Sequence, residues 1–337
     1  MANPEPIRRP ATRSRGMLLG KFLPPHLGHA YLCDFAQNFV DDLDIVVGTL
    51  EREPIPGALR YGWMQQMFPE ANVLHLDEDL PQEPSEHPQF WAIWKRALLE
   101  ILPAKPDFVF ASETYGQPLA DILDATFIPV DRARGIRPVS GTAIRDDPFG
   151  NWEFIPPAVR PYFVKTVCVF GPESTGKSTL NRDLASTFET IGVPEYARTY
   201  LEERGAELTE SDLLPIARGQ VASQRALAPH ANRILVTDTD ALLTTVWADF
   251  LHGRCDPQVQ ELAKSHRADL YLLTKPDVPW VPDPVRYLPE NRGDFFERCR
   301  DALDRIGAPY VIIEGTWEQR KSKAIQAVNR LRDEESG

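Results

Sequence analysis

"VKTVCVFGPESTGKSTLNRDLASTF", residues 164–188, runs from a β-branched apolar strand through a glycine-bounded loop into an amphipathic helix. The loop fills every fixed position of G-x-x-x-x-G-K-[ST], with the strand before it and the helix after it that this motif requires. Gly171 and Gly176 let the backbone curl so that successive N–H groups point at a phosphate. Glu173, Ser174 and Thr175 between them, and Thr179 just beyond, complete the expected lining. Lys177 is placed to reach β- and γ-phosphates, and the Ser178 hydroxyl to ligate Mg²⁺. The fold expected around such a loop is a parallel α/β sheet.

A P-loop needs acidic partners. "RILVTDTDALLTT" (233–245) is a buried-type strand ending in Asp238 and Asp240, where an acid orients Mg²⁺ or its water. "VPEYARTYLEERG" (193–205) puts Glu195 where a second strand ends beside the P-loop helix. A carboxylate there can accept a proton from a substrate hydroxyl. The alternative for each acid is a helix N-cap or a solvated turn. "VPDPVRYLPENRGDFFERCRDAL" (281–303) carries Arg286 and Arg292 into a helix, as an arginine-bearing lid or as a plain solvated loop.

The first half repeats the strand-loop-helix pattern in a different chemistry. "GMLLG" (16–20) reads as a buried strand, and "AYLCDFAQNFV" (30–40) spaces its apolar residues along one helical face. Between them, "GKFLPPHLGH" sets His26 and His29 where the helix begins, with Gly20, Lys21, Phe22 and Gly28 around them. A helix start offers free N–H groups to an anion, and imidazoles there add donors. Two solvated turn histidines are the competing reading. About 110 residues later, "RPVSGTAIRDD" (137–147) supplies Ser140 and Thr142 as helix-capping hydroxyls and Arg145 one turn in. A guanidinium there suits bidentate phosphate binding. The two cradles together favour chemistry over decoration.

The chain has 337 residues, 42% hydrophobic and 26% charged, enough for two soluble cores. A net charge of −12 argues against a general nucleic-acid or membrane-surface binder, so neither partner is expected. The four cysteines form no C-x-x-C pair, which favours reduced thiols and a cytoplasmic location. No apolar stretch approaches a membrane span, and the Pro/Arg-rich opening lacks the apolar core of a secretory signal. Strand runs "DIVVGTL", "NVLHL" and "DFVFAS", then "TVCVF", "RILVTD", "DLYLLT" and "PYVIIEG", alternate with helical patterns. The expected fold is therefore α/β, with two doubly wound parallel-sheet domains. The expected layout is a disordered tail over 1–15, a first domain over 16–150, a linker over 151–164 and a P-loop domain over 165–337.

"HLGH" and "VSGTAIR", with Val139 in the isoleucine place, resemble the nucleotidyltransferase superfamily, in which H-x-G-H and I-S-x-T-x-x-R flank the ATP triphosphate. "EHPQFWAIWKRAL" and "FVFASETYGQPLAD" between them, and "FGPESTGKSTL", "EYAR" and "TDTD" later, are similar to the bifunctional NadR type. That family joins nicotinamide-mononucleotide adenylyltransferase to ribosylnicotinamide kinase, and the likeness spans about residues 16–330. It implies a Rossmann-like nucleotidyltransferase domain followed by a P-loop kinase, using ATP and Mg²⁺ on nicotinamide riboside and nicotinamide mononucleotide. It also implies Trp91, Trp94, Glu113, Tyr115 and Tyr196 at the nicotinamide-bearing substrates. A pyridinium favours an indole face; spacing three apart on a helix by itself favours core for Trp91 and Trp94, and the resemblance reverses that for at least one of them. Some enteric relatives add an N-terminal helix-turn-helix; the opening segment is too short for one, so no repressor role is expected. A fused coenzyme A synthase shares this motif order, and a non-catalytic nucleotide sensor is the rival from another class. A homo-oligomer is left open.

Overall fold

The computed structural model describes residues 13–133, 135–205, 208–282 and 290–333. The chain divides into two compact units, Met1–Val159 and Arg160–Gly337. Residues 1–12 of the expected tail, and Arg286 of the expected lid, lie outside the described residues. The end of that tail is not loose. Ser14 donates to the Asp41 carboxylate through both N–H and hydroxyl, at 2.8 Å each, and Arg15 opens the first strand.

The first unit alternates β1 (Arg15–Gly20), α1 (Leu27–Phe39), β2 (Asp42–Gly48), α2 (Gly57–Met67), β3 (Asn72–Leu76), α3 (Phe90–Ile101), β4 (Phe108–Ala111), α4 (Gly116–Leu123), β5 (Thr126–Pro129) and α5 (Gly141–Asp146). Its five strands are all parallel, in the order β3-β2-β1-β4-β5. Because side chains alternate along a strand, β1 serves two cores. Leu18 packs on one face with Cys33, Ala36, Ile45 and Phe110. Met17 packs on the other with Leu98, Leu119 and Val109. Both faces of the sheet are thus apolar, as a parallel sheet covered by helices demands. β5 is the strand the sequence did not announce: four residues, none buried, ending in a proline.

The second unit holds α6 (Arg160–Phe163), β6 (Lys165–Phe170), α7 (Lys177–Thr187), β7 (Ile191–Val193), α8 (Tyr196–Arg204), α9 (Leu213–Leu227), β8 (Ile234–Asp238), α10 (Ala241–His252), α11 (Pro257–Ser265), β9 (Leu270–Thr274), α12 (Arg292–Arg305), β10 (Tyr310–Ile313) and α13 (Trp317–Asp333). The strands are again parallel, ordered β10-β9-β6-β8-β7. Val167 and Val169 face α7 and α13 through Leu184, Ala324 and Val328. Cys168 and Phe170 face the opposite core with Val246, Phe295 and Leu303.

The segment 151–164, expected as a linker, is packed rather than extended. It contains a 3₁₀ turn at Trp152–Phe154 and the whole of α6, and Trp152, Ile155 and Val159 are buried. The division between units falls within it. Among the described residues no helix is long and apolar enough to cross a membrane.

Leu98 is fully buried within its cluster. Leu98→Ala is expected to destabilise the first unit by about 2–5 kcal/mol, the range for a core cavity. Urea unfolding followed by circular dichroism checks this; an unchanged midpoint would contradict the packing of α3.

Candidate functional site

In each sheet the first strand lies between two later ones, so the chain turns both ways from its end. Open α/β sheets place ligands at that point, outside the carboxyl ends of the strands. In the first unit, residues following β1, β2, β3, β4 and β5 line a cleft of about 820 Å³, within the range of nucleotide-sized pockets.

His26 and His29 are both structure and candidate chemistry. His26 is the N-cap of α1, its Nδ1 accepting from the N–H groups of Gly28 at 3.1 Å and His29 at 3.3 Å. His29 returns the bond, its Nδ1 accepting from His26 N–H at 3.3 Å. The rings stack with centroids 3.7 Å apart. A neutral imidazole that accepts at Nδ1 carries its proton at Nε2, so the cap makes each ring a donor on its other nitrogen. Phe22 lies edge-on to His29 at 4.9 Å.

Ser140 caps α5, accepting from Ala143 N–H at 3.1 Å. Arg145 donates to Thr142 Oγ1 at 3.1 Å and to the Leu23 carbonyl, which ties α5 to the β1–α1 loop. Gly141 permits this: a Cβ there would stand 2.4 Å from the Leu23 carbonyl oxygen. The two motifs, about 110 residues apart, thereby meet in one cleft.

Lys21 pairs with Glu53 at 3.1 Å. Fully buried Arg60 donates to Glu53 at 2.5 Å and to the Lys21 carbonyl at 2.7 Å. Burial pushes the Glu53 carboxyl up, but bonds from Leu50 N–H, Lys21 and Arg60, with the Arg60 charge, outweigh it and hold it below its usual value. Glu53 and Arg60 carried no sequence signal; they sit in an ordinary charged loop and helix.

Trp91, Trp94, Glu113 and Tyr115 all line this cleft. Trp94 donates from its indole N–H to the Pro81 carbonyl at 2.9 Å, so its edge is fixed. Tyr115 donates to the Leu19 carbonyl at 2.6 Å. Burial first, then the Glu113 charge, raise its hydroxyl pKa, and it acts as a neutral strut.

In the second unit the P-loop closes over the N-terminus of α7. Gly171 at φ +132°, Ser174 at +55° and Gly176 at +82° give the loop its curl. At Gly171 a Cβ would meet Thr274, and at Gly176 it would lie 2.4 Å from the Trp317 ring. Thr175 donates to the Pro172 carbonyl, and Lys177 Nζ arches across to the same oxygen, both at 2.9 Å. Buried Arg320 braces the loop from behind through the Thr175 carbonyl at 3.2 Å and the Lys275 carbonyl at 2.8 Å. Arg292 donates to Val278 O at 3.0 Å and Ser174 O at 3.4 Å, on the P-loop rather than out in solvent.

The three acids separate by environment. Asp238 is 2% exposed, and its Oδ1 meets no hydrogen-bond donor. Burial, then the Glu195 charge, push its carboxyl up to about 6 against the pull of Lys177 and of a hydrogen bond from Ser178. An orphaned carboxylate oxygen beside a serine hydroxyl suits a hard divalent cation held by few protein oxygens. Among the described residues no cluster of three His, Cys, Asp or Glu side chains offers a fuller cage. Glu195 is half-buried in the same cleft as the P-loop. Asp240, expected among the catalytic acids, borders the same cleft and also caps α10. Its Oδ1 accepts from Leu242 and Leu243 N–H at 3.0 and 3.3 Å, and its Oδ2 from the Tyr271 hydroxyl at 2.6 Å. Burial still raises it to about 6. Tyr196, expected at the substrate, packs on α9. Its ring covers Gly219 on α9, where a Cβ would come within 2.0 Å, and it is not among the cleft residues.

A family model described as an AAA domain matches residues 166–320. The trifunctional NAD biosynthesis/regulator protein NadR of Escherichia coli (strain K12) is 32% identical over 347 residues, covering 95% of this chain and 84% of that one. Its Salmonella typhimurium (strain LT2) counterpart is 31% identical over 346 residues with the same coverage. A crystal structure of NadR in complex with NR superposes with a TM-score of 0.77 at 25% identity, covering 94% of this chain and 95% of that one. A second, of NadR with NAD and AMP-PNP, gives 0.76 at 25%, covering 96% and 97%.

The raised Asp238 pKa fixes the sign of a pH effect. Between 3.8 and about 6 the folded chain keeps a proton that the unfolded chain has lost, so stability falls as pH rises through that window. Asp238→Asn removes this cost. Thermal unfolding is expected to show a higher Tm above about pH 7 and a much smaller gain near about pH 4. An equal gain at both would deny the ionic origin.

Proposed function

The chain belongs to the NadR family, and we propose how its two units divide the work. It is a bifunctional NAD salvage enzyme, a ribosylnicotinamide kinase and a nicotinamide-mononucleotide adenylyltransferase. The observation that carries the division is two phosphate cradles of different construction, each at the reversal point of its own parallel sheet.

In the P-loop unit the 5′-hydroxyl of nicotinamide riboside attacks the γ-phosphorus of a nucleoside triphosphate. Lys177 neutralises charge on the β- and γ-phosphates as the bond to the leaving diphosphate breaks. Glu195 accepts the hydroxyl proton, since Asp240 is spent on its cap. Ser178 and Asp238 would hold Mg²⁺, which would supply charge neutralisation at the phosphates. Arg292 steadies the loop carbonyls.

In the first unit the 5′-phosphate of nicotinamide mononucleotide attacks the α-phosphorus of ATP, expelling pyrophosphate and giving NAD. No covalent nucleophile is required; positioning and charge stabilisation carry the step. His26 and His29 donate from Nε2 to the phosphates, with Lys21, Ser140, Thr142 and Arg145 around them. Trp91 offers an indole face to the pyridinium, with Trp94, its edge fixed on the Pro81 carbonyl, and Glu113 nearby. The kinase product is the adenylyltransferase substrate, a chemical reason for joining the units.

Incubation with ATP, Mg²⁺ and nicotinamide riboside, with products identified by mass, tests the whole reading: nicotinamide mononucleotide and NAD are expected. Lys177→Ala and Glu195→Gln should each lower riboside phosphorylation at least about a hundredfold while leaving NAD formation from nicotinamide mononucleotide intact. His29→Ala should do the reverse, so that nicotinamide mononucleotide accumulates. Loss of both activities in any one folded variant would defeat the two-site assignment.

Stacking on an indole contributes on the order of 1–2 kcal/mol. Trp91→Ala and Trp94→Phe separate ring from packing. The first is expected to raise KM for nicotinamide mononucleotide about tenfold with that for ATP unchanged, while the second stays near wild type. If Trp91→Ala leaves that constant unchanged, its indole is core.

A further inference from the structure

Gln220, on α9, is 2% exposed and borders the P-loop cleft. It carries no charge and belongs to no motif, yet it touches both acid-bearing loops. Its Oε1 accepts from the backbone N–H of Tyr196, the residue directly after Glu195, at 2.8 Å. Its Nε2 donates to Thr237 Oγ1 at 3.1 Å and to the Thr239 carbonyl at 3.3 Å, on either side of Asp238. Reversing the amide would set N–H against N–H and carbonyl against carbonyl, so one orientation is enforced. One turn on, Gln224 donates to the same Thr237 hydroxyl at 3.1 Å.

The turn that Gln220 holds needs holding. Thr239 is a buried, β-branched residue at φ +70°, between Asp238 and the Asp240 cap. Its carbonyl also accepts from Thr237 Oγ1 at 2.6 Å, and its N–H donates to the Val169 carbonyl at 3.1 Å. Such a conformation persists only where surrounding bonds over-determine it.

We infer that Gln220 is a positioning residue for phosphoryl transfer, an amide strut that fixes the spacing of Glu195 from Asp238. This rests on the kinase roles given above to those two acids. With the strut in place, the group that takes the hydroxyl proton and the group beside the P-loop serine keep one separation. Without it, each loop relaxes independently. A proton acceptor displaced from the riboside hydroxyl slows transfer to that hydroxyl more than transfer to water, which needs no such alignment.

The test uses the full chain. Gln220→Met removes both bonds at similar volume, and Gln220→Glu keeps the acceptor for Tyr196 N–H but cannot donate to Thr239. Calorimetric titration with nicotinamide riboside counts intact sites, so turnover is expressed per site. Triphosphate consumed is compared with nicotinamide mononucleotide plus twice the NAD formed, since each NAD uses a second triphosphate in adenylyl transfer. Both variants are expected to lose about tenfold or more in kcat per site, with KM for the riboside within about twofold, and to spend a larger share of triphosphate on hydrolysis. A merely structural role would lower the number of sites and leave that share unchanged. If Gln220→Met folds too poorly to titrate, Gln220→Glu is read alone. Wild-type kcat per site and wild-type partition overturn the inference. That result leaves the kinase reading standing, because Glu195→Gln tests it separately.

Discussion

Everything functional in this chain depends on one constraint of parallel sheets. A strand's carboxyl end must hand the chain to a crossover helix, and where neighbouring crossovers leave in opposite directions a crevice remains. β1, between β2 and β4, and β6, between β8 and β9, both end at such a crevice. The helix that follows each strand begins there with unsatisfied N–H groups, and phosphate is what those groups suit. The two units meet this demand differently. One presents a curled glycine-rich backbone at the helix start; the other gathers side chains, two imidazoles and an arginine, from loops distant in sequence.

How much of this could be read from the residues follows from where each signal lives. The P-loop, the H-x-G-H helix start and eight of the ten strands among the described residues were legible because each is local: a fixed spacing of glycines, or a short β-branched run. β5 was not, because a four-residue half-buried edge strand has no apolar run to announce it. Asp240 and Tyr196 are ambiguous in the sequence for a different reason. An Asp before a helix is equally a cap, and only the approach of Tyr271 from β9 decides it. An aromatic after a strand is equally core, and only the bare surface of Gly219 decides that. Arg60, Gln220 and Arg320 were invisible because their importance lies in which carbonyls they reach, and no spacing rule encodes a contact across 39, 19 or 145 residues.

The net charge of −12 does not conflict with two polyphosphate sites. Positive groups near the clefts are few and individually restrained. Lys21 is pinned by Glu53, Lys177 by a loop carbonyl, and Arg145 by Leu23. Attraction is therefore local and directional, which fits a small anion that must be held in register, and not a long polyanion that must be gathered from a distance.

The reciprocal histidine cap sets a chemical fuse. Both Nδ1 atoms serve as acceptors for backbone N–H groups, so a second proton on either ring would turn an acceptor into a donor and repel the helix start it holds. Imidazolium would attract phosphate more strongly, yet the same proton would dismantle the surface that presents it. In the role proposed for these residues, the rings would therefore meet a polyphosphate while neutral, by direction of N–H rather than by charge.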